Sequence, residues 1–91
     1  MHIEYRSDPP RFDGTNLLMH FVAVVDGKTF DCCISAEALE DHFGAGSALE
    51  GELREAFARG QARIREVCTQ AIEQTGGAVI LHSGYFRVGD A

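Results

Sequence analysis

Two strand-like runs, the largely apolar "LLMHFVAVV" and the mixed "KTFDCCIS", are separated only by Asp26-Gly27, and successive side chains of each project to opposite faces. Alternation with a period of two marks a strand with one buried face, and Asp-Gly supplies the two positive-φ residues of a type I′ hairpin turn. A two-residue loop sets the register: Val25 faces Lys28, Ala23 faces Phe30, Phe21 faces Cys32 and Met19 faces Ile34. These pairs share a largely apolar face. Leu18, His20, Val22 and Val24, opposite Ser35, Cys33, Asp31 and Thr29, share a mixed one. Cys32 therefore belongs to the core side of the hairpin and Cys33 to the mixed side.

The period changes after the hairpin. Ser35 is placed to cap a short helix, with Leu39 and Phe43 one turn apart as its docking pair and Gly44 suited to a left-handed residue just past its end. Ser47-Ala48-Leu49-Glu50 has the form of a capping box and opens a long helical segment to about Gln74. At 100° per residue, Leu49, Leu53, Ala56, Phe57, Ile64, Val67, Cys68, Ala71 and Ile72 fall on one arc. Gly60 falls inside that arc, which predicts either close approach of another backbone or a kink or break. Gly76-Gly77 ends the helix. "AVILH" reads as a buried strand, and Ser83-Gly84 is placed to turn it into a last strand, "YFRV". At the other end, "HIEY" alternates as a short edge strand, and "SDPPRFDGTN" has turn chemistry that disfavours regular structure. The expected architecture is a single α+β domain over residues 1–91. It has a hairpin-led antiparallel sheet, a short helix, a long helix packed on the sheet and a C-terminal strand or hairpin.

Ninety-one residues suffice for one modest core, hiding roughly 60–65% of the unfolded surface. No apolar run reaches the ~18–20 residues of a membrane span, and the first ten residues do not form a secretory signal, so a cytoplasmic protein is expected. Fourteen acidic against eight basic side chains give a net charge of −6, which opposes nucleic acid and anionic membrane as partners. Three cysteines without a signal argue against a disulfide framework. Cys32 and Cys33 project to opposite sides of their strand and cannot bridge without distortion.

The stretch "FDCCISAEALEDHFGA" resembles the bacterial family called domain of unknown function 1488, small stand-alone proteins of this length. The family pattern is a hairpin with a central turn, then acid-Cys-x-Ile-Ser, "EALE", an aromatic or aliphatic residue and Gly. Asp31, Cys32, Ile34, Ser35, Glu37, Ala38, Leu39, Glu40, Phe43 and Gly44 fit it. The long helix with spaced Arg and Glu and the following "AVILHS" resemble the family's second half. There are two departures: Gly60 replaces a better helix former, and "GYFRVGDA" extends the tail. The resemblance implies a small α+β domain with a hairpin-led sheet backed by helices, and it implies no activity, substrate or catalytic residue. The family cysteine matches Cys32, while the position of Cys33 varies.

Candidate chemistry is sparse. His20 opposes Cys33 in a non-hydrogen-bonded pair, with Asp31 on the diagonal, an arrangement that could activate a thiol. An open hairpin face offers no pocket or oxyanion donors, so the plainer reading is a partly exposed thiol beside a histidine, reactive toward reagents but without a catalytic role. Metal binding by His20, Cys33 and His82 lacks any supporting ligand spacing, so no metal or cofactor is expected. Arg54, Arg59, Arg63 and Arg65 could serve nucleic acid, but they form no single stripe. Glu50, Glu55 and Glu66 lie at salt-bridge spacing from them, so a solvated, self-neutralised helix face is expected. Leu18, Val22 and Val24 would be partly exposed if helices cover only the core side, which predicts either an interface or internal cover from "YFRVG" or "HIEY". Cys32, Ser35, Leu39, Phe43, Gly44 and Gly60 are assigned structural roles. The functional expectation is a non-enzymatic interaction or accessory module binding a protein partner or itself. A thiol or metal site at His20 and Cys33, or a nucleic-acid regulator, stands as the alternative.

Overall fold

The computed structural model describes residues 1–87. The strands β1 (Ile3–Tyr5), β2 (Arg11–Asp13), β3 (Leu18–Val25) and β4 (Lys28–Ser35) come first. The helices α1 (Ala36–His42) and α2 (Glu50–Thr75) follow, then β5 (Ile80–Leu81) and a 3₁₀ turn at Ser83–Phe86. The sheet has five strands. β3 lies at its centre, with β4 on one side and both β1 and β2 on the other, and β5 extends it beyond β4.

The hairpin register runs from Leu18 opposite Ser35 to Val25 opposite Lys28. Asp26 and Gly27 take φ of 49° and 85°, as a type I′ turn requires. Leu17 is not part of the strand; it is exposed, with φ of 54°, and ends the turn that leads into β3. That turn is held by Asp13, whose Oδ1 accepts the backbone N–H groups of Thr15 (3.0 Å) and Asn16 (3.1 Å). The tight reversal lets Arg11–Asp13 pair with β3, so the segment expected to be irregular contains a strand, and its Phe12 packs against the core.

β5 lies parallel to β4, with Cys33 opposite Ile80 and Ile34 opposite Leu81, which makes the sheet mixed rather than wholly antiparallel. A parallel neighbour needs a long crossover, and α1 and α2 provide it. The expected last strand "YFRV" is not formed. Tyr85 and Phe86 belong to the 3₁₀ turn and Arg87 follows it as its C-cap, while Val88 and the last three residues of the tail extension lie outside the described residues.

Ser35 caps α1, its Oγ accepting from Ala38 N at 3.1 Å, and Gly44 follows the helix with φ of 76°. The expected box at Ser47 does not cap α2. The Ser47 hydroxyl accepts from Leu49 N, the helix starts at Glu50, and its N-cap Leu49 is 72% exposed. The rest of the predicted arc is buried, and the helix runs unbroken through Gly60 to a left-handed Gly76. Gly60 faces the ring of Phe43 rather than another backbone: a Cβ there would lie 2.9 Å from Phe43 Cγ, with Cδ1 and Cε1 closer still.

Helix and sheet meet through Met19, Ala23, Cys32 and Ile34 on one side and Leu53, Phe57, Ile64 and Cys68 on the other. Phe21 and Phe57 place their rings 5.6 Å apart across this boundary. The domain measures 35 × 33 × 21 Å, and its short dimension holds one sheet and one helical layer. The helices therefore cover one face of the sheet and leave the other open.

Candidate functional site

Strand pairing lays out the open face in rows. Leu18 is flanked by Asp13 and Ser35, His20 by Arg11 and Cys33, and Val24 by Glu4 and Thr29; Val22 lies beside Asp31. Leu18, Val22 and Val24 are half-buried by their neighbours within the sheet. Beyond Cys33 stands Ile80, 58% exposed. A shallow trough of about 380 Å³ runs over this region, lined by Asp13, Leu18, His20, Asp31, Cys33 and Ile80 among others. A smaller cleft of about 120 Å³ lies on the β2 side of Val22, with Arg6, Arg11 and Asp31 in its lining.

His20 links the two flanks. Its Nδ1 lies 3.0 Å from Asp31 Oδ2, and because a carboxylate can only accept, Nδ1 carries the proton. Its Nε2 lies 3.6 Å from Asp13 Oδ2, and Arg11 Nη2 stands 3.6 Å from the same Asp31 oxygen. The Asn16 amide and backbone N–H hold the Asp13 carboxyl below its ordinary value.

Both ring nitrogens thus face carboxylates, and neither is committed to Cys33. Cys33 is only 4% exposed, which corrects the expectation of an accessible, reactive thiol. The cause is β5: Val79 O accepts Cys33 N at 3.1 Å, and the strand lies alongside the residue. Burial, reinforced by the Asp31 charge, pushes the Cys33 thiol up to about 11, away from thiolate chemistry at neutral pH. His82 is not brought to this face. Its Nδ1 accepts from Gly84 N at 3.2 Å and its ring stacks on Tyr85 at 4.7 Å. Among the described residues, no three His, Cys, Asp or Glu side chains are placed to hold a metal ion.

Cys32 and Cys68 meet inside the core. The two thiols act on one another, an interaction that with burial pushes Cys68 well up and holds Cys32 low. Beside them the Tyr5 hydroxyl contacts Thr69 Oγ1 at 2.8 Å and donates to Arg65 O at 3.1 Å, and burial raises it above its ordinary range. The sequence pattern signals neither cluster, because each joins residues more than thirty positions apart.

The helix arginines serve as clips as well as salt-bridge partners. Arg54 pairs with Glu50 at 2.8 Å and donates to Pro10 O at 2.6 Å. Arg59 donates to Phe43 O and Gly44 O, and Arg65 to Arg6 O. Arg63 pairs with Glu66. Each is engaged within the chain, so they do not form a set of unengaged cations for phosphates.

One further constellation brings together residues of hydrolase chemistry. Ser83 Oγ donates to Asp41 Oδ2 at 2.7 Å and lies 3.0 Å from His42 Nε2. With the hydroxyl proton on Asp41, His42 must act as donor, so the imidazole is not placed to take the serine proton. Ser83 is buried, and the group ties the 3₁₀ turn to α1. It is a structural pin.

The fold and this face define a class: a small two-layer α+β domain with helices on one side of a mixed sheet and an open, half-apolar face on the other. The family profile described as Protein of unknown function (DUF1488) matches residues 3–81, and the chain belongs to that family. The chain is also similar to the crystal structure of a protein of unknown function from the DUF1488 family of Shewanella loihica PV-4. That similarity has a TM-score of 0.76 at 22% identity and covers 87% of this chain and 90% of the other. It shows a shared fold. No curated protein matches the chain. Among the described residues no helix is long and apolar enough to cross a membrane.

Proposed function

We propose that this protein is a small cytoplasmic, non-enzymatic accessory module that works by protein–protein recognition through the open face of its sheet. The supporting observation is the one-sided helical cover, which leaves Leu18, Val22 and Val24 in a row at the centre of a face that continues to the exposed Ile80. Partly exposed apolar side chains set among charged and polar ones are a common feature of interaction sites. The buried, high-pKa Cys33 and the carboxylate-bound His20 weigh against a thiol enzyme.

The test is recovery of tagged protein from its native cell, comparing wild type with Val22→Lys, and mass spectrometry of what accompanies each. A companion retained by wild type and lost from the variant, with unchanged circular dichroism, supports the reading. The same companions on both, or none on either, refute it. An untagged copy of the chain itself counts as a companion.

A further inference from the structure

We infer that His20 is a proton-operated clamp, whose charged ring bridges Asp13 at the end of β2 and Asp31 on β4 across the central strand β3. The inference concerns the sheet itself and holds whether or not the open face recognises a partner.

The surroundings of the ring are asymmetric. Nδ1–H is bonded to Asp31 Oδ2 at 3.0 Å, whereas Nε2 stops 3.6 Å from Asp13 Oδ2, beyond hydrogen-bond length. With its single proton on Nδ1, the neutral ring turns the Nε2 lone pair toward a carboxylate oxygen, which has only lone pairs to offer. A second proton makes both nitrogens donors and converts that contact into a charge-assisted bond. The His20 side chain is 16% exposed, so water does little to replace the missing bond. Asp13 is prearranged for this role: its Oδ1 accepts from Thr15 N and Asn16 N, and its Oδ2 accepts from Asn16 Nδ2 at 2.9 Å. These bonds, with Asn16 foremost, hold the Asp13 carboxyl below its ordinary value, so it is an anion throughout the range in which histidines titrate, about pH 5–8.

The charges around the ring leave one carboxylate over. Arg11 and Asp13 come from β2, Asp31 comes from β4, and Arg6 and Asp8 come from the loop that lines the small cleft with His20. Cys33, opposite His20 on β4, is a neutral thiol in this range. The helical layer packs on the other face of the sheet. Arg6 and Asp8 offset one another in charge. Arg11 Nη2, 3.6 Å from Asp31 Oδ2, answers one of the two carboxylates beside the ring, and only an imidazolium answers the other. At the acid end of the range the ring carries both protons and ties β2, a strand of three residues, to β4. As pH rises the second proton leaves, the bond to Asp13 is lost, and β2 loosens together with the turn that borders the trough.

Amide hydrogen exchange of the whole chain, followed by NMR from about pH 5 to 8, tests this when each rate is divided by its intrinsic value at the same pH. The ¹⁵N shifts of the His20 ring are recorded alongside. As pH falls, Nε2 is expected to gain a proton while Nδ1 keeps its bond, and protection of the β2 amides is expected to rise about threefold or more in step with it. The β4 amides near the Asp26-Gly27 turn should not follow. His20→Gln cannot take up the proton, so its β2 protection is expected to stay level across the range. In Asp13→Asn the new amide can donate to Nε2 of the neutral ring, so the pH dependence should vanish or reverse. Wild-type β2 protection that ignores pH overturns the inference, as does a rise that persists in His20→Gln or a ring titration that does not coincide with the change in protection. The last comparison is made on wild type alone, so it decides the matter even where a variant fails to fold.

Discussion

The ring of Phe43 rests on Gly60 of α2, where a side chain would have to occupy space that the ring already fills. The same ring stands edge-on to Phe86 at 5.1 Å, and the Phe43 carbonyl accepts from Arg59 at 3.0 Å. A glycine that weakens the helix locally thus lets α1, α2 and the 3₁₀ turn close on one another.

Gly60→Ala is accordingly expected to destabilise, by about 1–3 kcal/mol in urea unfolding, even though alanine is the better helix former by about 1 kcal/mol. Phe43→Ala in the same chain removes the clash, so the double variant should cost less than the sum of the two single ones. A stabilised Gly60→Ala would show that the ring moves aside freely.

The three cysteines are all buried, so a thiol reagent should label the native protein slowly at every site and release all three on unfolding. Cys32→Ser is expected to cost about 1–3 kcal/mol, since it puts a hydroxyl into an apolar core. Rapid labelling of Cys33 alone would mean that β5 leaves its edge readily, and would restore the accessible thiol that the hairpin register by itself suggested.

The raised Cys33 thiol also predicts a pH dependence. Its folded value of about 11 lies above the ordinary 9.0, so between these two values the unfolded chain has lost a proton that the folded chain keeps. Stability should therefore be unaffected by this group below pH 9 and fall as pH rises from 9 toward 11, by about 1 kcal/mol per unit. Tyr5 and Cys68 act in the same direction. Cys33→Ala should flatten the decline in urea midpoints measured across this window. Parallel curves for the two proteins would contradict the burial of the thiol.

Ser83→Ala removes the pin between the last turn and α1, at an expected cost of about 1–2 kcal/mol. Hydrogen exchange should quicken at Tyr85 and Phe86, while the hairpin amides stay protected. Uniform loss of protection would place the serine in the global core instead.

Duplex DNA and RNA are expected not to bind at physiological salt, given the net charge of −6 and helix arginines already engaged by carbonyls and carboxylates. Submicromolar, salt-sensitive binding in a titration would show that those arginines release their intrachain partners.

What was legible in the sequence is what depends on neighbours along the chain. The Asp26-Gly27 turn dictates positive φ, the turn dictates the register, and the register places Cys32 opposite Phe21 and Cys33 opposite His20. The 100° arc likewise anticipates which face of α2 is buried, because a helix carries its periodicity within itself. Tertiary structure decided the rest. Cys33 is buried only because β5, more than forty residues later, docks in parallel against β4, and no local period encodes the choice of that edge. The strand at Arg11–Asp13 exists because β3 has a free edge there to pair with, despite turn-forming neighbours. Gly60 gains its meaning from a ring on another helix, and the open face from a helical layer that covers only one side of the sheet. Contacts of this kind pay loop-closure entropy and are won by the packing of the whole domain, so they become visible only when the chain is folded.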